Sequence, residues 1–83
     1  MWYMYVVKCR DGTLYTGVTT DLDRRVNEHN SSPKGAKYTA TRRPVKLVYA
    51  IEKEDRSSAC KAESKFKKLS RKEKLKKLPK YLV

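Results

Sequence analysis

Trp2-Tyr3-Met4-Tyr5-Val6-Val7-Lys8-Cys9, then Arg10-Asp11-Gly12, then Thr13-Leu14-Tyr15-Thr16-Gly17-Val18: the fold turns on this stretch. Two apolar, aromatic and β-branched runs flank a short segment ending in Gly, the pattern of a β-hairpin. The turn type decides what faces what. A two-residue turn at Asp11-Gly12 would set Tyr5 opposite Val18 and Tyr15 opposite Lys8, sending the tyrosines to opposite faces. A three-residue loop, with Arg10-Asp11-Gly12 as a type I turn closing on a left-handed Gly, pairs Tyr5 with Gly17 and Tyr15 with Val7. Both tyrosines then share one face, and this register is the one expected.

Beyond the hairpin, Asp21 to His29 reads as a helix capped by Thr20 or Asp21, with acidic side chains in its first turn where the helix dipole favours them. Asn30-Ser31-Ser32-Pro33-Lys34-Gly35 ends it. Pro44 opens a third strand, Val45 to Ile51. In it Leu47, Tyr49 and Ile51 point one way and Val48 and Ala50 the other, which predicts a central or nearly central position. Arg56-Ser57-Ser58 caps a second long helix, Ser58 to Lys68. Ser70-Arg71-Lys72-Glu73 matches a capping box opening a short helix to about Lys77, which Pro79 stops. The order β-β-α-β-α-α predicts one α+β domain over 1–83, a small three-stranded mixed sheet flanked by helices.

Composition narrows the function classes. The 83 residues suffice for one small core, not for a two-domain enzyme. No apolar run approaches the length of a membrane span, and Met1 to Val7 lacks a basic leader and a cleavage site, so a cytoplasmic protein is expected. Cys9 and Cys60, without a CxxC pair and with one His in the chain, indicate neither a zinc cluster nor a disulfide framework. The net charge is +12. Residues 1–60 carry 11 basic and 7 acidic side chains, whereas 61–83 carry 10 and 2. Such clustering suits a polyanion, because phosphate binding by Lys and Arg releases condensed counterions. A solvated lysine-rich helix is the plainer explanation of the same run.

Polar residues on apolar stripes carry the chemical signal. The first helix turns Leu22 and Val26 inward, and the same stripe contains Arg25 and His29. On the second, Ala59, Ala62 and Phe66 leave Glu63 to complete the stripe. An unpaired charge there costs several kcal/mol, so a structural Arg25–Glu63 ion pair is one explanation. The other gathers Tyr5, Tyr15, Arg25, His29 and Glu63 in a concave patch beside Gly17, which has no side chain to block approach. That set suits phosphodiester hydrolysis: a base for water, a cation for the developing charge, a carboxylate for a metal. For each tyrosine alone, a half-buried strand aromatic is the plainer reading. Lys34, Lys37, Arg42 and Arg43 surround Tyr38 in the loop from Ser31 to Arg43, a set able to grip a backbone and stack on a base, and equally a connecting loop. Lys65 and Lys68 extend the basic surface.

With these residues in place the chain resembles the GIY-YIG nucleases. Tyr3-Met4-Tyr5 stands for GIY and Tyr15-Thr16-Gly17 for YIG. Arg25, His29 and Glu63 match the family's arginine, its His or Tyr, and its metal-binding glutamate. Leu14 to Leu22, Gly35-Ala36-Lys37-Tyr38-Thr39 and Arg42-Arg43-Pro44-Val45 resemble the signature of its small single-domain bacterial branch. The pattern is departed from at Tyr3 and Met4, which replace Gly and Ile, and an asparagine some members carry has no clear counterpart. The resemblance implies an endonuclease using one Mg²⁺ or Mn²⁺ held by Glu63. Arg25 would stabilise charge, Tyr15 or His29 would activate water, with Tyr15 favoured, and Tyr5 would orient or assist.

The substrate expected is DNA, branched, flapped or damaged, with a protein partner as one source of specificity. A nucleic-acid-binding module without turnover is the alternative. An inward glutamate repels phosphate, however, and has a use only where a metal is bound. A basic scaffold of a ribonucleoprotein would leave Glu63 and His29 without a purpose.

Overall fold

A computed structural model describes residues 1–31 and 34–77. The expected helix stops at Ser32-Pro33 and Pro79 lie outside the described residues. The order is β1 (Trp2–Lys8), β2 (Leu14–Thr19), α1 (Leu22–Ser31), α2 (Lys37–Ala40), β3 (Lys46–Lys53), α3 (Arg56–Lys67) and α4 (Arg71–Lys77).

The hairpin has the expected three-residue loop. Gly12 takes φ +86°, open to glycine without strain, and its N–H reaches the Cys9 carbonyl at 2.9 Å. Tyr5 accordingly pairs with Gly17 and Val7 with Tyr15. The caps also follow side-chain chemistry. Asp21 accepts from Arg24 N–H at 3.0 Å, and Ser70 and Glu73 exchange the two bonds of a capping box. α3 begins two residues earlier than expected, because Asp55, and not the Arg56-Ser57-Ser58 run, accepts from Ser58 N–H at 2.8 Å.

The sheet corrects two expectations. Its strand order is β2-β1-β3, and β1 is antiparallel to both neighbours. The sheet is therefore antiparallel, not mixed, because β3 takes the free edge of β1 and never meets β2. β3 is an edge strand, and the central place belongs to β1, whose Met4, Tyr5, Val6 and Val7 are all buried. A β-bulge explains why β3 looked two-faced. Val6 pairs with Tyr49 and Val7 with Leu47, so Val48 is the extra residue. Leu47 is thereby parted from Tyr49 and Ile51, and Ala50, opposite Tyr5, is exposed.

Helices cover both faces. Met4, Val6 and Val48 pack with Phe66, Ala62 and Leu75 of α3 and α4. Tyr5, Val7, Cys9 and Val45 pack with Leu22 and Val26 of α1. α2 lies within the segment expected to be a plain loop. Asn30 exchanges two hydrogen bonds with the backbone of Val45, and Arg43 Nε donates to the orphan His29 carbonyl at 2.6 Å. The α2 segment is thus tied to α1 before β3 starts. No described helix is long and apolar enough to cross a membrane.

Candidate active site

Strand alternation carries Tyr5 from β1 onto the α1 side of the sheet, where its hydroxyl meets α1. Tyr5 Oη lies 2.7 Å from His29 Nε2, and Arg25 Nε donates to the same oxygen at 3.3 Å. Arg25 and His29 stand one helical turn apart, so both reach one phenol. His29 Nδ1 lies 2.8 Å from Thr39 Oγ1. Tyr15, from the neighbouring strand, meets the His29 ring edge-on at 5.2 Å between centroids and stacks on Tyr38 at 5.9 Å. The Arg42 guanidinium lies 4.0 Å from the Tyr38 ring centre while bonding Asp11 at 3.1 Å.

Gly17 explains how close the phenol comes to β2. A Cβ at this position would lie 2.5 Å from Tyr5 Oη. The hydroxyl therefore occupies the volume that any other residue would fill, and this is what the glycine of the Tyr15-Thr16-Gly17 triplet supplies. Gly35 has an equivalent place beneath α2, since a Cβ there would meet the Glu28 carbonyl at 2.6 Å and His29 Cα at 2.9 Å.

Burial sets the protonation states. His29 and Thr39 are wholly buried and Tyr5 nearly so. Desolvation, then the neighbouring Arg25 charge, lowers the His29 pKa from 6.5 to about 4. The ring is neutral at physiological pH and carries a lone pair. Desolvation raises the Tyr5 pKa against the opposing hydrogen bond from Arg25, and Glu63 adds a smaller rise through space. The phenol is protonated, with its hydrogen available to His29.

A stability consequence follows. The unfolded chain protonates its histidine near 6.5, whereas the folded one holds off to about 4. Between those values the unfolded state binds more protons, so stability falls as pH drops through that window. Asp11 and Asp55, also held below their ordinary values, lose their contributions at more acid pH. Denaturant titrations from pH 7 to pH 4 should show this loss, and His29→Gln should flatten it.

Of the five residues expected at the centre, Tyr5, Tyr15, Arg25 and His29 form one contact network. Glu63 stands apart on α3, half-buried, with Lys67 at 3.4 Å. The Arg25–Glu63 ion pair, the alternative explanation of these charges, does not form among the described residues: Arg25 pairs with Glu28 at 3.1 Å and donates to the Lys34 carbonyl. Among the described residues Glu63 pairs with one exposed lysine, Lys67 one turn away, a weak partner. Among the described residues no group of three or more His, Cys, Asp or Glu could hold a metal. A divalent cation here would be held by Glu63 alone among the carboxylates, with water and substrate oxygens as its other ligands.

The basic residues divide. Lys34, Arg42 and Arg43 flank α2 along the chain and Lys37 opens it; the Arg42 guanidinium lies on Tyr38 and Arg43 donates to the His29 carbonyl. Lys65 and Lys68 line a separate groove of about 700 Å³ floored by Met4, Ile51 and Phe66 on the opposite face of the sheet. Thr39 and Gly35 escaped the sequence reading. Both stand in the Gly35-Ala36-Lys37-Tyr38-Thr39 stretch, but a lone Thr or Gly in a loop has no periodicity to mark it.

A family model described as the GIY-YIG catalytic domain matches residues 1–77. A UPF0213 protein of Desulfotalea psychrophila is 59% identical over 69 residues, 83% of this chain and 63% of that protein, so the chain spans under two thirds of that relative's length. A UPF0213 protein of Streptococcus agalactiae is 55% identical over 88% of this chain and 82% of its own length. The solution NMR structure of a UPF0213 protein from Bacillus halodurans superposes with a TM-score of 0.61 at 41% identity, covering 99% of this chain and 92% of that one.

Proposed function

The chain belongs to the GIY-YIG catalytic-domain family, and on that premise we propose that it is a divalent-metal-dependent endonuclease hydrolysing phosphodiester bonds of DNA. The observation that carries the proposal is the buried hydrogen-bonded run from Arg25 through Tyr5 to His29. A phenol is a poor base at its ordinary pKa near 10. Here its hydrogen has an acceptor 2.7 Å away in a neutral imidazole. Tyr5 can take a proton from water only as its own passes to His29 Nε2, so the two act as one base. Tyr5, rather than Tyr15, is therefore the group we assign to water activation. Tyr15 packs against His29 through its ring and holds the imidazole in place.

Arg25 supplies the positive charge. Its Nε stabilises the phenolate character that Tyr5 acquires, and as a fixed cation it offsets the charge growing on the phosphorane-like transition state. Glu63 would hold Mg²⁺ or Mn²⁺, which when bound supplies Lewis-acid neutralisation of the phosphate. Attack of the water oxygen forms the new P–O bond as the leaving oxygen departs. The water's proton ends on Tyr5 and the tyrosine's on His29. Tyr38, Arg42 and Arg43, which touch this network, are assigned with Lys37 of the same segment to the DNA strand beside the cut, and Lys65 and Lys68 to more distant phosphates.

The test is cleavage of labelled duplex, single-stranded, flapped and four-way-junction DNAs with Mg²⁺ or Mn²⁺, comparing wild type with Glu63→Gln. The variant should lose about 10³-fold or more in rate, in line with the charge stabilisation a metal provides. Binding measured without metal should survive, and in both proteins weaken steeply with salt. Equal cleavage by both proteins would remove Glu63 from the mechanism. Affinity flat across ionic strength would contradict the basic surface.

A further inference from the structure

We infer that Thr39 is a positioning residue for cleavage: its hydroxyl fixes the neutral His29 ring with hydrogen on Nδ1, leaving the Nε2 lone pair to Tyr5. The inference rests on the nuclease reading above and adds to it a residue from the α2 segment. The available hydrogens set the direction of each bond. Thr39 Oγ1 has one, and it is spent on the Ala36 carbonyl at 3.0 Å, the bond back along the chain that helical threonines commonly make. A carbonyl has no hydrogen to give in return. Towards His29 Nδ1, 2.8 Å away, the Thr39 oxygen can therefore only accept. A neutral imidazole carries one N–H, so with Nδ1 donating, Nε2 is bare. Tyr5 Oη, 2.7 Å from Nε2, must then donate, while its own oxygen accepts from Arg25 Nε.

Every bond in the run from Arg25 to Tyr5, His29, Thr39 and Ala36 thus points the same way. The reverse tautomer breaks it at two places. Thr39 would have to turn its only hydroxyl hydrogen from the Ala36 carbonyl to Nδ1, and the phenol hydrogen, displaced by Nε2–H, would lose its acceptor. In that state Tyr5 has nowhere to pass its proton. Each end of the α2 segment is held to α1, which keeps Thr39 on the ring: Gly35 lies against the Glu28–His29 backbone, Arg25 donates to the Lys34 carbonyl, and Arg43 donates to the His29 carbonyl. The segment expected to grip DNA therefore also builds the base.

The experiment is ¹⁵N–¹H long-range NMR of the His29 ring in the full chain at neutral pH, for wild type, Thr39→Ser and Thr39→Val, with DNA cleavage rates on the same samples. Wild type and Thr39→Ser should show hydrogen on Nδ1. Thr39→Val, which keeps the shape and removes the hydroxyl, should lose that tautomer and lower kcat about 10²-fold with KM unchanged, the range expected for impaired acid–base catalysis. Hydrogen on Nε2 in wild type overturns the inference even if the valine variant fails to fold. So does an unchanged tautomer in Thr39→Val, or an unchanged kcat with a shifted one. A wild type that cuts no DNA overturns the nuclease reading and the catalytic half of this inference, whereas a wrong tautomer overturns the inference alone.

Discussion

Gly17→Ala should lower the cleavage rate by about 10²-fold while leaving a folded, DNA-binding protein. The added methyl would sit 2.5 Å from Tyr5 Oη and 2.8 Å from the ring carbon bearing it, well inside contact distance. β1 and β2 are paired at this level, Tyr5 directly across from Gly17, so the strands cannot separate without breaking the ladder. The phenol must turn away, and in doing so it leaves both His29 Nε2 and Arg25 Nε. Overpacking of this kind costs about 1–3 kcal/mol, and displacement of a reacting group by about 1 Å costs on the order of 10²-fold in rate. Thermal unfolding and cleavage assays on one preparation would measure both effects. Unaltered cleavage in the alanine variant would show that the contact between Tyr5 and Gly17 is not needed for the reaction.

Tyr5→Phe should lower the cleavage rate by about 10³-fold, within the span that a lost general base produces. The ring and its packing against Val7, Leu22 and Val26 would remain. The loss of one oxygen would leave the buried His29 Nε2 without a donor and Arg25 Nε without that acceptor, a stability cost of about 1–3 kcal/mol. DNA affinity and its salt dependence should not change, since Tyr5 is buried and carries no charge. Tyr15→Phe, by contrast, should retain most activity, because the contact of Tyr15 with His29 is made by its ring. The reverse ranking of the two variants would assign the base to Tyr15.

These two residues also mark how far the sequence could be read. The register that joins Tyr5 to Gly17 was legible because Gly12 follows Arg10-Asp11 at the position where a three-residue hairpin loop needs a left-handed residue. Arg25 and His29 were legible because helical spacing put charge on an apolar stripe. β3 was not. Its bulge at Val48 gives an unbroken alternation in sequence that the backbone does not keep, and this made an edge strand look central. The antiparallel pairing of β3 with β1 is equally absent from local pattern, because it depends on which sheet edge the chain returns to. Ion-pair choice was hidden as well, for Arg25 finds Glu28 on its own helix before it can reach Glu63. Thr39 was hidden because its importance lies in a single hydrogen bond across the fold.

The tyrosine–imidazole base and the Glu63 carboxylate act on the same bond, so one measurement reports on both. Single-turnover cleavage of a labelled DNA by wild type, Glu63→Gln and Tyr5→Phe, with Mg²⁺ and with chelator, tests them most directly. Cutting by wild type should require the metal and fall by about 10³-fold in each variant, with binding retained in all three. Metal-independent cutting, or none in a wild type that binds DNA as tightly as both variants, would contradict them.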